Sequence, residues 1–284
     1  MASSSGPLDS EWYERFATGV KNRLGERTKQ DAAISAQVFA ELLRKFEEDF
    51  RRLSPEEEGA VTGLNQDNKE LARRTVEGAC FCIFSYCVGL RGYEVPRVVL
   101  DFLRQFRYRE CDDRSGIPAH IGVPLAGRFK LCGGMDQNLL LFLAATSRSG
   151  IEALVWVDRL VDLLEVGFGV TSGWAFQKRN GAQLRMSDFE ESVFDRLLEI
   201  QEERPDLIPQ EFDVLEEYGL ARSFRRGSMT EANNQGVPEP EVDSIMPWKE
   251  GKDCTEAYFT GGMQAHYADQ RQMAKTFLRF SQAL

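Results

Sequence analysis

The chain has 284 residues and a formal net charge of −10, and 42% of its residues are hydrophobic. This length predicts one large domain or two modest ones with a real hydrophobic core. The acidic balance argues against tight, non-specific binding to nucleic acid, although it is compatible with a local basic cleft.

The sequence lacks the features that are typical of membrane, secreted and zinc-binding proteins, so these three classes are disfavoured. It has no apolar run of about eighteen residues, so we expect no membrane span and no membrane partner. Residues 1–6 lack the charged and apolar regions of a signal peptide. The six cysteines follow no regular spacing, and only two histidines are present. We therefore expect an intracellular protein with reduced thiols and no bound metal.

The first half of the chain is predicted to be mainly helical. A helix is expected over residues 31–53 because its apolar side chains recur every three or four positions. They are Ile34, Val38, Phe39, Leu42, Leu43, Phe46 and Phe50. A second helix, over about 65–89, becomes densely apolar and should be buried, with its cysteines as small core residues. A further helix or strand is expected over residues 98–106.

A small antiparallel sheet is predicted near residues 108–145. Short apolar pieces split by glycine and proline, such as residues 121–125, are typical of strands. Residues 139–145 fit either a further strand or a short helix. Lys130 directly follows Gly-Arg-Phe at 127–129, so we expect it at a strand edge or in a turn.

Two helices of the second half are predicted from capping boxes. Ser149 with Glu152 fits the start of a helix that continues to about residue 166, and Ser187 with Glu190 fits the start of another. Two more helices are expected, over residues 239–246 and 264–284. The fold class predicted for the whole chain is α+β, predominantly helical.

Arginines crowd into one short stretch at residues 222–227, at the start of a helix that Gly236 should end. Guanidinium groups beside the free N–H groups of a helix start suit a phosphate or another oxyanion. An exposed basic turn accounts for the same residues equally well. On this stretch alone both interpretations stay open.

Several separate segments carry residues suited to chemistry on an anion. Residues 89–94 read Gly-Leu-Arg-Gly-Tyr-Glu, residues 222–227 read Arg-Ser-Phe-Arg-Arg-Gly, and residues 263–267 read Met-Gln-Ala-His-Tyr. Lys130 and Trp248 stand between these boxes. In this order the segments resemble the tyrosine recombinase (phage-integrase) family. The text around them is most similar to the integrase-like recombinases of eukaryotic mobile elements.

The resemblance implies a role for each residue. Arg91 lies in a box similar to the family's G-L-R-x-x-E motif and corresponds to its first catalytic arginine. Arg225 lies in a box similar to H-x-x-R-R/H and corresponds to the second. Arg222 stands where that box has a histidine, and an arginine does not exchange protons near neutral pH. Trp248 lies at the family's His/Trp position, and Lys130 lies where the family has its hairpin lysine.

The nucleophile implied by the resemblance is a tyrosine. Tyr267 is favoured because Met263 and the following amphipathic stretch are similar to the nucleophile box, and Tyr258 is the alternative. Arg226 and His266 are the expected DNA contacts. The implied activity is cleavage and rejoining of double-stranded DNA through a 3′-phosphotyrosine intermediate, with no cofactor and no metal.

The resemblance covers about residues 65–284, which are expected to form the catalytic domain. Residues 1–64 then form an N-terminal helical segment, either a remnant of the family's core-binding domain or a linker. The family implies a dimer or tetramer on DNA, and a nuclear location if the chain is eukaryotic. The alternative function is a catalytically inactive, domesticated protein that keeps the fold and binds DNA or another partner.

Overall fold

The computed structural model describes residues 31–53, 64, 66–105, 118–128, 136–238 and 278–284. The longer helices are α1 (Ala36–Leu53), α2 (Gln66–Cys87), α4 (Ala153–Asp162), α5 (Glu190–Glu203) and α7 (Ser223–Asn234). Helices α3 (Leu100–Gln105) and α6 (Val214–Glu217) are short. Single helical turns of other types span Val95–Arg97, Leu163–Gly167 and Met186–Phe189, and residues 278–283 are also helical.

Helix α2 is the centre of the core, and α1, α4, α5 and α7 pack around it. From Val76 to Cys87 every residue of α2 is buried, which confirms the prediction of a buried helix with core cysteines. The apolar stripe predicted for α1 is also buried along its whole length. Both helices contribute to one continuous hydrophobic cluster, so burial of these stripes is the main force that holds them together.

Strands β1 (His120–Arg128) and β2 (Asp136–Ala144) form a two-stranded antiparallel sheet. Their register pairs His120 with Ala144 at one end and Arg128 with Asp136 at the other. The predicted α+β class with a small antiparallel sheet is therefore confirmed, and the alternative of a short helix over residues 139–145 is wrong. Of the helices in the described ranges, none combines the length and apolar character that a bilayer crossing requires.

Helix α1 begins at Ala36 instead of at the predicted residue 31. The hydroxyl of Ser35 accepts a 3.2 Å hydrogen bond from the amide of Val38, which is the cap that starts the helix. Residues 31–35, which we call the N-terminal strap, have no regular secondary structure. They form backbone hydrogen bonds with residues 217 and 223, in the second half of the sequence. The amide of Ala32 donates to the carbonyl of Glu217 at 2.7 Å.

Both predicted capping boxes are wrong, because Ser149 has another partner and Asp188 takes the place of Ser187. The hydroxyl of Ser149 donates to the carbonyl of Leu284, and α4 begins at Ala153 without a side-chain cap. Near α5, the carboxylate of Asp188 accepts a 2.6 Å hydrogen bond from the amide of Arg185, and Ser187 caps nothing. Long-range contact of the C-terminal residues with Ser149 explains the first error, since spacing along the chain does not reveal it.

Candidate functional site

The first arginine box, residues 89–94, begins where helix α2 ends. Gly89 has a φ of 73°, a left-handed conformation that glycine adopts without steric cost, and it terminates the helix. The amide of Leu90 donates to the carbonyl of Phe84 at 3.3 Å, as is common at helix C-termini. The chain then turns, and the side chain of Arg91 is 20% exposed.

Glu94 fixes this turn from inside. Its carboxylate accepts one hydrogen bond from the backbone amide of Arg91 at 2.8 Å and another from the Arg91 guanidinium at 3.2 Å. The amide of Glu94 in turn donates to the carbonyl of Arg91 at 2.7 Å. Because Glu94 is buried, the pair holds the Arg91 side chain in one orientation instead of leaving it to move in solvent.

Arg225, from the first turn of α7, reaches the same place. Its Nη1 donates a 2.8 Å hydrogen bond to the carbonyl of Gly89, which is 136 positions away in the sequence. The residue is 9% exposed, so the guanidinium is held well below the surface. This bond uses one of five N–H groups, and no second hydrogen bond joins the group to another described residue.

The electrostatics of this place favour an anion. Burial lowers the pKa of Arg225 to about 10, and the neighbouring charge of Arg91 acts in the same direction, whereas Glu94 and Tyr93 oppose it. Arg225 is therefore protonated at neutral pH. The Glu94 carboxylate pairs with Arg91 alone, and the buried Arg225 has a carbonyl as its hydrogen-bond partner, so its charge gains from a bound anion. We call Arg91, Glu94 and Arg225 the arginine site.

The two arginine boxes approach each other closely at Gly92, because this residue has no side chain. The amide of Gly92 donates to the carbonyl of Ala221 at 3.3 Å. A Cβ atom at Gly92 would lie 2.5 Å from the carbonyl oxygen of Leu220 and 2.8 Å from the sulfur of Met186. Only a residue without a side chain fits at this contact.

The N-terminal strap supports the second box from the other side. The amide of Ile34 donates to the carbonyl of Ser223 at 3.1 Å, and a Cβ atom at Gly227 would overlap the carbonyl oxygen of Ile34. The hydroxyl of Ser223 also accepts from the amide of Gly219 at 2.9 Å. The start of α7 is thus held by its own loop and by residues from the beginning of the described chain.

Arg222 and Arg226 lie beside the site but are less buried. Arg222 is exposed at the N-cap of α7, where its side chain makes no capping hydrogen bond, and Arg226 is partly buried. Neither forms an ion pair with another described residue. Most other arginines of the described ranges do, including Arg44, Arg51, Arg52, Arg73, Arg104, Arg159, Arg196 and Arg204. Arg222 and Arg226 therefore bring positive charge to the second box without an ion-pair partner in the described part of the chain.

The remaining predicted site residues fall outside the described ranges. They are Lys130, Trp248, Tyr258, His266 and Tyr267. Their assignments stay predictions, as does the domain boundary at residue 64. What the structure brings together is the pair Arg91 and Arg225, with Arg222 and Arg226 on the same helix start.

A cavity lies elsewhere, between α1 and the start of α4. It has a volume of about 610 Å³, and its lining includes Arg44, Arg51 and Arg159. All three guanidinium groups already form ion pairs. Arg44 pairs with Glu41 and Glu48, and both Arg51 and Arg159 pair with Glu47. No residue of the arginine site lines this cavity, and its charges are internally balanced, so it offers no comparable anion site.

Sequence reasoning missed Tyr93, which lies in the first box and is 46% exposed. Only its position between Arg91 and Glu94 pointed to it, and the box motif leaves that position unspecified.

A scan against protein-family models gives no match for this chain, and no curated protein matches it.

Proposed function

We propose that this protein breaks and rejoins double-stranded DNA as a tyrosine recombinase, through a covalent 3′-phosphotyrosine. The observation that carries the proposal is the meeting of Arg91 and Arg225. They come from the two boxes that resemble the family's arginine motifs, and Gly89 and Arg225 are joined by a 2.8 Å hydrogen bond. The proposal rests on these residues, because the resemblance lies in short motifs and not in a family-wide match.

The chemistry explains why two fixed guanidinium groups are suited to this reaction. When a tyrosine oxygen attacks a phosphodiester, negative charge grows on the two non-bridging oxygens of the phosphorus. Arginine is planar and always charged, and it offers paired N–H donors to those oxygens. The Glu94 carboxylate and the Gly89 carbonyl hold the two groups in advance, so that little reorganisation is needed during the reaction.

The other steps are assigned by the resemblance. Tyr267, or else Tyr258, attacks the phosphorus, and the bond to the 5′-oxygen of the next nucleotide breaks. Lys130 gives that oxygen its proton. Trp248 packs against the phosphate or donates its indole N–H to it. Rejoining is the reverse: a 5′-hydroxyl attacks the phosphotyrosine and releases the enzyme.

A second candidate, a DNA-binding protein without catalysis, is favoured by one observation. The box position that is histidine in the family is Arg222, which is exposed and, being permanently protonated, cannot accept a proton near neutral pH. Binding of phosphate needs only the cations, whereas turnover also needs an acceptor for the tyrosine proton. On either reading the partner is DNA, bound by a dimer or tetramer, in the nucleus if the chain is eukaryotic.

A nicked duplex separates the two candidates. Cleavage beside a nick releases a short fragment that diffuses away, so the covalent protein–DNA adduct accumulates and is seen on a denaturing gel. Since the target sequence is unknown, we would use a pool of nicked duplexes with randomised flanks. We expect an adduct that disappears with Tyr267→Phe. DNA binding without any adduct would favour the second candidate, and an adduct lost only with Tyr258→Phe would reassign the nucleophile.

A further inference from the structure

Tyr93, in the first arginine box, has an aromatic side chain that is not buried in the core. It is 46% exposed, whereas Leu90 and Val95 on either side of the turn are buried. Exposure of a tyrosine carries little meaning when it occurs alone. Here it occurs between the two residues, Arg91 and Glu94, that form the ion pair of the arginine site.

The turn that carries Tyr93 is rigid. Arg91 and Glu94, at its two ends, are joined by three hydrogen bonds. The amide and the guanidinium of Arg91 donate to the Glu94 carboxylate, and the amide of Glu94 donates to the Arg91 carbonyl. Gly92, immediately before Tyr93, is pressed against the backbone of Leu220 and bonded to Ala221. A turn held in this way needs no backbone ordering when a ligand arrives, so a contact made from it avoids that part of the entropy cost of binding.

The phenol also lies near the charge that would bind the anion. Tyr93 is among the groups that oppose the lowering of the Arg225 pKa by burial and by Arg91, although the guanidinium is buried and the phenol is half exposed. Of the three side chains, Tyr93 is the most exposed, Arg91 is intermediate and Arg225 is buried.

We propose that Tyr93 is a DNA-contacting residue, whose phenolic O–H donates a hydrogen bond to the phosphate group bound by Arg91 and Arg225. This inference rests on the proposed function, because it takes the anion to be a DNA phosphate. Tyrosine suits the position, since its ring tolerates partial exposure while its hydroxyl seeks a polar partner. A hydrogen bond to a charged oxygen is also stronger than one to a neutral acceptor.

The test is the equilibrium affinity for labelled duplex DNA, measured by fluorescence anisotropy at low and at moderate salt. Tyr93→Phe removes only the hydroxyl, and Tyr93→Ala removes the ring as well. Phe102→Ala is the matched control, because Phe102 is an aromatic residue of nearly equal exposure, 45%, on another element. The melting temperature of each variant is measured alongside, and we expect it to be unchanged because both side chains are half exposed.

We expect Tyr93→Phe to weaken DNA binding about tenfold, the loss typical of a hydrogen bond to a charged group. Tyr93→Ala should weaken it at least as much, and Phe102→Ala should bind as the unmodified protein does. If the unmodified protein binds DNA and Tyr93→Phe binds equally well, the inference is overturned and the proposed function stands. A loss with Tyr93→Ala alone overturns the role of the hydroxyl. No binding of the unmodified protein to DNA at either salt overturns both.

Discussion

The guanidinium of Arg225 is hydrogen-bonded to the main-chain carbonyl of Gly89 at 2.8 Å, across 136 positions of sequence. Gly89 ends the central helix and Arg91 follows it, so this bond ties the start of α7 to the first arginine box. It also explains why the two cations stay together despite their mutual repulsion. The carbonyl of Gly89 and the nearby Glu94 offset part of the repulsion between the two guanidinium groups. A bound anion would offset the remainder.

Gly227→Ala should destabilise the protein strongly, because the new methyl group would overlap the carbonyl oxygen of Ile34 in the N-terminal strap. Backbone cannot yield as a flexible side chain does, so we expect a loss of about 3 kcal/mol in the free energy of unfolding. Gly236→Ala is the control: it has a φ of 76° but open space around it, and should cost about 1 kcal/mol. Urea titration of both variants measures the difference, and equal losses would contradict the close approach.

Arg222→His should speed adduct formation and make its rate depend on pH. A neutral imidazole accepts the tyrosine proton, which arginine does not, so the rate should rise as the pH passes the pKa of the new histidine, ordinarily about 6.5. Arg222→Gln is the control, because it removes the charge without supplying a base. Rates are read from denaturing gels between about pH 5.5 and pH 8. If both variants behave alike and neither varies with pH, Arg222 does not occupy the histidine position.

Glu77→Gln should alter how stability depends on pH. Burial raises the pKa of Glu77 to about 7, against the opposing attraction of Arg73, with smaller effects of Glu70 and Arg74. The folded protein therefore holds this proton more tightly than the unfolded chain, whose pKa is about 4.3. Stability from this group is complete below that pH and is lost as the pH rises to about 7.

The measurement for Glu77 is the free energy of unfolding of both proteins between about pH 4 and pH 8. The unmodified protein should lose a few kcal/mol relative to Glu77→Gln across this window. The difference between the two proteins isolates Glu77 from carboxylates such as Glu41 and Glu47, whose pKa values are lowered by arginine partners. Parallel curves would show that Glu77 is ionised in the folded protein throughout.

The core cysteines should be chemically inert in the folded state. Cys80, Cys82 and Cys87 are buried, and burial raises the pKa of each thiol, so little thiolate is present to react. After serine replaces the other cysteines, Cys111, Cys132 and Cys254, a thiol reagent should label nothing until denaturant is added. Rapid labelling of the folded protein would mean that α2 is more accessible than its packing indicates.

Local patterns predicted much of the helical framework. The three- and four-residue spacing of apolar residues identified the buried face of α1, because that spacing is a property of any helix that lies on a core. The end of α7 was equally predictable, since Gly236 adopts the positive φ that ends many helices. Such features depend only on neighbours along the chain.

The features that make the site depend on distant neighbours and were less predictable. The resemblance paired Arg91 with Arg225, but no spacing in the sequence reveals that the Gly89 carbonyl is the partner of Arg225. The strap contact at Gly227 and the exposure of Tyr93 likewise follow from how the helices pack. The same limit explains the wrong capping boxes, where Ser149 bonds to the C-terminal residue instead.

The most direct test of the arginine site replaces the scissile phosphate of the nicked duplexes with a methylphosphonate. This group lacks the charged oxygen that Arg91 and Arg225 are proposed to stabilise. Arg225→Ala should lose about 10²–10³ in the rate of adduct formation on ordinary DNA, and should recover most of it on the neutral substrate. If Arg225→Ala is equally inactive on both substrates while the unmodified protein reacts, Arg225 is a structural brace and the two-arginine clamp is wrong.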